Sequence, residues 1–236
     1  MRDAYCEAVS IVNISRILLF LSLAVYSIAL IVIEWQTSQQ IVRQFFTDIE
    51  GNVFFYAINT SLSVFLLWAT ALLFGVCLLC IDKVQQRQDY FFYLSQVIMF
   101  TYLGFDERFL IHEQMGHWLG RNDAYLLLGL GLVEIGLLVL LGNIRQRTLA
   151  ARYFLYTAAI FFAVMVVIDA KFPSQMVLRL SLEELTKLWA DVCLVLFAWE
   201  ILAQHIKKLK GERGKGKGER RKGKGATNVL GGTNRG

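Results

Sequence analysis

The sequence is poor in the residues from which most redox, haem and zinc sites are built. Its 236 residues hold four cysteines, three histidines and one proline. Disulfide scaffolds are small, secreted and dense in cysteine, so Cys6, Cys77, Cys80 and Cys193 do not describe one. Cys77 and Cys80 form a C-x-x-C within an apolar run, whereas a redox motif follows a strand and opens a helix, so packing is their expected role. Haem held between helices needs paired buried histidines, and only His205 lies near the inner end of an apolar run. No phosphate-binding loop, G-x-S-x-G elbow, H-E-x-x-H or Cys–His metal array is present, and Gly129-x-Gly131 sits inside an apolar run rather than at a dinucleotide turn. Nothing supports serine or cysteine nucleophile catalysis, and whether the protein is an enzyme stays open.

What the chain has instead is apolar length. It is 56% hydrophobic with a mean hydropathy of +0.49. Six continuous apolar runs cover residues 17–33, 53–81, 90–105, 124–141, 150–168 and 188–206. Each is near the roughly 20 residues a helix needs to cross a bilayer. The runs are continuous rather than alternating, and only helices or closed barrels satisfy their backbone in lipid, so they read as helices. The expected fold is all-α, a polytopic membrane protein of about six transmembrane helices over residues 1–206, followed by a tail over 207–236. Asp3 and Glu7 stand where a cleavable signal would be basic, so the first run reads as a retained anchor.

The net charge of +5 conceals a split, since residues 207–236 carry 11 basic and 2 acidic side chains. Positive charge marks the cytoplasmic side. With the tail inside, inner segments hold 18 Lys and Arg against six in outer segments, which places both termini in the cytoplasm of a multi-pass inner (plasma) membrane protein. The tail alternates glycine with charge, cannot bury a core and is expected to be disordered. Besides the bilayer itself, its expected partner is anionic lipid, at about 1 kcal/mol per basic residue near the surface. No aromatics interleave with its charges for base stacking, which argues against nucleic acid. Local signals fit the boundaries: Asn122 or Asp123 to cap the fourth helix, Gly142-Asn143 to end it, Pro173 after the fifth, and a capping box at Ser181-Leu-Glu-Glu184.

This topology collects eleven carboxylates at or near the outer face: Glu34, Asp48, Glu50, Asp106, Glu107, Glu113, Asp123, Asp169, Glu183, Glu184 and Asp191. Ionisable groups beside lipid are costly and tend to face a cavity or a partner. The densest stretch, residues 104–117, is expected to continue the third helix out of the membrane. On one helix Glu113 and His117, four apart, can reach one metal ion, while Asp106 and Glu113 are about 10 Å apart along the axis. Completing a site then requires Glu34, Asp169 or Asp191 from other helices. The candidate ligand or proton site is therefore Asp106, Glu107, His112, Glu113, His117, Glu34, Asp169 and Asp191, with a divalent metal on Glu113 and His117 as its candidate cofactor. Bland roles stand beside these: Glu184 as the capping partner of Ser181, surface ion pairs of Lys187 with Glu183 and Asp191, and His117 beside Trp118 in an interfacial aromatic belt.

The D-E-x-x-x-x-H-E pattern of Asp106, Glu107, His112 and Glu113, with Glu183-Glu184 ahead of the last run, resembles a loose group of small polytopic bacterial membrane proteins of uncharacterised activity. The resemblance covers residues 90–191 and implies an outer-face polar site and no particular reaction. The chain is also similar, in its Asp-Glu on a membrane helix, to the ceramidase-like membrane hydrolases. Those bind zinc through three histidines, a set that His112, His117 and the inner-side His205 do not reproduce.

Glu134 sits in the middle of the fourth run, where a charge costs about 2.5–3.5 kcal/mol. It reads either as a proton or ion relay or as a protonated side chain bonded to Thr70 or Ser63. Asn59, Ser63 and Thr70 form a polar stripe on the second run, expected to serve packing, and Glu200 is expected to pair with Gln204 or nearby lysines. Three functions follow. One is ligand or metal handling at the outer face, where a held cation can activate water on a lipid-linked substrate. The second is proton- or ion-coupled transport through Glu134. The third is a structural or assembly subunit with a membrane-protein partner.

Overall fold

The computed structural model describes residues 2–46, 57–81, 83, 86–120, 124–173 and 176–227, with side chains described between residues 14 and 208, Gln40 apart. The expected caps Asn122 and Asp123 and the outer acids Asp48 and Glu50 lie outside the described residues. Among the described residues the fold is all helical, without a strand: α1 (Arg2–Gln36), α2 (Gln39–Phe46), α3 (Ile58–Leu79), α4 (Arg87–Phe109), α5 (Ile111–Leu119), α6 (Ala124–Leu141), α7 (Leu149–Lys171) and α8 (Arg179–Thr227), with a 3-10 turn at Ile144–Gln146.

Among the described residues four helical segments are long and apolar enough to cross a membrane: Ile14–Gln36 in α1, and α3, α6 and α7. The other two long helices, α4 and α8, are more polar, with Asp89, Gln96, Asp106 and Glu107 on α4 and Glu183, Glu184, Lys187 and Asp191 on α8. All six run the length of one bundle in alternating directions. At one end Glu34 of α1 meets Ser181, Ser63 of α3 meets Asp191, and Glu107 of α4 meets Lys187. At the other end Arg16 pairs with Glu200, Cys80 accepts from His205, and Gln88 donates to the carbonyl of Leu140. The start of α1 and the exit of α8 therefore share an end.

The centre is α3, α4 and α8. Phe74 of α3 stacks on Phe100 with centroids 6.0 Å apart and meets Phe92 and Phe197 edge-on at 5.8 and 5.9 Å. Between apolar helices in lipid such dispersion contacts replace the hydrophobic drive of a soluble core. Gly104 lets the two helices meet: a Cβ there would fall 2.3 Å from the Trp68 indole nitrogen. Helices α1 and α6 lie at the periphery, with 17% and 11% of their apolar windows buried against 39% for α3.

Three expectations change. Glu200 pairs with Arg16 of α1, whose guanidinium also lies 5.7 Å from the centroid of the Phe154 ring. A charge inside the bundle needs an opposite charge more than it needs Gln204. The backbone of α8 continues helical to Thr227, where the sequence predicts a tail without regular structure. Finally, the stretch expected to prolong one helix through residue 117 is two helices, with a break that organises the site.

Candidate functional site

The break falls at Leu110, which adopts a left-handed conformation with φ 52° between α4 and α5. On an unbroken helix residues 106 and 112 would point to different sides, because six residues are not a whole number of turns. The turn brings them together. Asp106 Oδ1 accepts the backbone N–H of His112 at 2.8 Å, and Oδ2 lies 2.7 Å from His112 Nδ1. One carboxylate thus satisfies an orphan donor at the start of α5 and fixes the imidazole. Nε2 of His112 has no partner among the described residues, and His112 lines a cavity. This Asp–His arrangement can accept or give a proton at Nε2 while the carboxylate stabilises the imidazolium.

The cavity measures about 350 Å³. Of the candidate residues, Asp106, Glu107, His112, Glu113, Asp169 and Asp191 line it, together with Glu183, Glu184 and Lys187. Apolar walls come from Leu67, Leu103, Leu127, Phe162, Met165 and Leu194. Among the described residues the lining holds seven carboxylates and three cations, Arg43, Arg108 and Lys187.

Most of these charges are tied. Lys187 Nζ lies 2.9 Å from Glu107 and 2.9 Å from Glu184, and Asn59 donates to Glu184 at 3.2 Å. Arg179 links Asp169 at 2.7 Å and Glu183 at 3.4 Å. Asp191 is 5% exposed and accepts from Ser63 Oγ at 2.5 Å. The polar stripe on α3 is therefore largely part of the site: Asn59 and Ser63 hold carboxylates, and only Thr70 turns to its own helix, donating to Leu66. Lys187 joins α4 to α8 through Glu107 rather than making a surface pair with Glu183 or Asp191.

Titration follows from this burial. Burial, with Asp169 and Glu184 nearby, raises Glu183 to about 7 against the opposing charge of Arg179. Burial also raises Glu184, although Lys187 opposes it. For Lys187 burial disfavours the ammonium, but Glu107 and Glu184 outweigh it and hold the group well above the usual lysine range. Burial likewise works against a charged His112, and the hydrogen bond and charge of Asp106 reverse that, raising it.

Glu34, His117 and Glu134 stand elsewhere, and Glu113 borders the cavity from an exposed position on α5. Glu34 is buried outside the lining of the cavity, where it accepts hydrogen bonds from the Leu178 N–H at 3.1 Å and from the Ser181 hydroxyl. It thereby caps α8 from α1 and displaces the expected capping box, leaving Glu184 free for Lys187. Glu113 and His117 are exposed on α5, and among the described residues no group of three or more His, Cys, Asp or Glu is arranged to hold a metal ion. The expected metal pair gains no third ligand because the turn at Leu110 carries α5 away from the axis of α4. Glu134 neighbours neither Thr70 nor Ser63; it faces the fully buried Gln96 of α4. Both amide atoms of Gln96 and Oε2 of Glu134 are buried without hydrogen-bond geometry to a partner.

A family model described as Domain of unknown function (DUF8692) matches residues 18–201. The chain belongs to this family. The match contains every residue of the cavity and stops before the basic tail. No curated protein and no solved structure matches the chain.

Proposed function

We propose that this protein is a six-span membrane protein whose carboxylate cavity, at the outer face, binds an organic cation and exchanges protons for it. The observation that carries the reading is a cavity of about 350 Å³ lined by seven carboxylates against four cations, Arg43, Arg108 and Lys187 in the lining and Arg179 bonded to Asp169 and Glu183, beside one wall of Leu, Phe and Met side chains. That volume fits a small ligand. The excess of acid favours a positive charge, and the apolar wall favours a hydrocarbon part on the same molecule. Proton exchange follows from Glu183, which burial raises to about 7: a cation arriving beside it favours its ionised form, and the proton leaves. His112, held by Asp106, is the exchangeable base at the rim.

The six-span reading is supported by the alternating directions of α1, α3, α4, α6, α7 and α8. The polar side chains of α4 and α8 are met within the bundle, Glu107 of α4 by Lys187 of α8, Asp89 by Arg147 and Gln96 by Glu134, so these helices can cross lipid among the four apolar ones. The basic chain after residue 206 supports a cytoplasmic position for both termini.

The test is ligand-induced thermal stabilisation of the detergent-purified full chain by benzyltrimethylammonium, with the uncharged neopentylbenzene as control. Stabilisation is expected from the cation alone. It should strengthen from pH 6 to pH 8 and be lost in Asp191→Asn. Equal stabilisation by both compounds, or none by benzyltrimethylammonium at any pH, refutes the reading. A second reading, proton-coupled transport, is favoured by Glu134 facing Gln96 in the middle of the bundle. It predicts that Glu134→Gln abolishes cation-driven proton flux in proteoliposomes and leaves cation binding intact.

A further inference from the structure

A second polar cavity, of about 330 Å³, lies at the opposite end of the bundle and takes no part in the cation reading. Its depth is fixed by α4: Asp89, on its wall, precedes Asp106 by 17 residues, about 25 Å along a helix. At its centre is Arg147, with a side chain only 10% exposed. The guanidinium is built in rather than draped. Nε donates to the Gly142 carbonyl at 3.1 Å, Nη2 to Asp89 at 2.9 Å, and Nη1 approaches the Tyr93 hydroxyl at 3.5 Å. The rings of Phe92 and Tyr93 lie 5.4 and 5.9 Å from its central carbon.

A guanidinium has five N–H donors in a fixed plane, and these contacts use three. Two remain. Tyr93 accepts from Arg147, so its own hydroxyl proton is available to donate. Lys208 lines the same cavity, makes no ion pair with any described residue, and adds an ammonium. The side-chain amides of Gln86, Asn143, Gln146 and Gln204, each with two N–H donors beside its carbonyl, complete the polar lining with His205. Among the described residues Asp89 is the sole carboxylate on the wall and is answered by Arg147, which leaves Lys208 as the unanswered charge of the described lining.

We infer that this second cavity is a phosphate-binding site, in which Arg147, Tyr93 and Lys208 hold the oxygens of a phosphate group. Arginine in a fixed plane beside a lysine is the pairing that recognises phosphate oxygens. The group comes either from an anionic lipid headgroup or from a soluble phosphate, since the cavity opens at the end where α8 leaves the bundle and the run of lysines begins.

Titration calorimetry on the detergent-purified full chain separates the sources with three probes: inorganic phosphate, dioctanoyl phosphatidylglycerol, and dioctanoylglycerol, which has the same chains and no phosphate. Binding of either phosphate probe in preference to dioctanoylglycerol is expected, phosphate alone indicating a soluble ligand and phosphatidylglycerol alone a lipid. Lys208→Gln changes an exposed side chain and Tyr93→Phe removes one hydroxyl, so both should fold. Each should weaken binding by about tenfold, the worth of one charge-assisted hydrogen bond. Absence of binding by both phosphate probes overturns the inference. So does binding that both substitutions leave unchanged, or affinity for dioctanoylglycerol equal to that for phosphatidylglycerol.

Discussion

Replacing Glu183 by glutamine should change how the stability of the protein depends on pH, and the size can be worked from its surroundings. Burial beside Asp169 and Glu184 takes the carboxyl from 4.5 to about 7. At about 1.4 kcal/mol per tenfold, that difference corresponds to roughly 3 kcal/mol between protonation states. The charge of Arg179, 3.4 Å away, is already contained in that shift; the side chain keeps 20% exposure, so solvent screening reduces the figure to about 2 kcal/mol. The sign follows from proton counts. Between pH 4.5 and 7 the folded protein holds a proton on Glu183 that the unfolded chain has released, so stability falls as pH rises. Glu183 thus contributes fully below pH 4.5 and loses its contribution through pH 7. His112, also raised, acts in the same direction: its contribution is present below 6.5 and is lost as pH climbs through its folded value. Subtracting Glu183→Gln from wild type isolates the carboxyl. Urea or thermal unfolding in mild detergent from pH 4.5 to 8 should show the wild type losing about 2 kcal/mol relative to the variant across this window. A difference that is flat, or that rises with pH, refutes the burial argument.

Other perturbations test separate joints. Asp106→Asn should lower the titration of His112, measured by nitrogen NMR of labelled histidine; an unmoved titration would mean that the 2.7 Å contact does not govern the ring. Asp106→Ala additionally removes the acceptor for the His112 backbone N–H and should raise amide exchange at the start of α5, at a cost of about 1 kcal/mol. Gly104→Ala forces the Trp68 indole away from α4 and should destabilise by about 1–3 kcal/mol, visible as a lower thermal midpoint and altered tryptophan fluorescence. Glu34→Ala frees the Leu178 N–H and the Ser181 hydroxyl together and should cost about 2 kcal/mol, whereas Glu113→Ala on the exposed face of α5 should cost little.

The helices were legible because an apolar run in lipid has one way to satisfy its backbone. The apolar run 124–141 coincides with α6, while the runs 90–105 and 188–206 cover only part of α4 and α8, whose polar faces weaken the apolar signal. The site was legible in composition more than in geometry. Asp106, His112, Asp169 and Asp191 were singled out, but periodicity placed 104–117 on one axis because Phe109-Leu110-Ile111 gives no sign of a turn. A leucine with positive φ carries no signature in sequence; the six-residue interval from Asp106 to His112, which fits no helical repeat, was the available clue. Glu34 and Ser63 were harder still. Their partners lie 147 and 128 residues away, and a side chain that caps or bonds across such a distance leaves no local pattern.

The left-handed turn at Leu110 also decides where the chain can tolerate a change of length. Along a straight helix, one added residue would rotate whatever follows by 100° and shift it by 1.5 Å. Between Asp106 and His112 the same addition would move the imidazole and the backbone amide out of reach of one carboxylate at once. After Gly120, where α5 has ended, an extra residue disturbs neither bond. Within this family, insertions and deletions should therefore avoid the interval 106–112 and gather beyond the second helix of the pair.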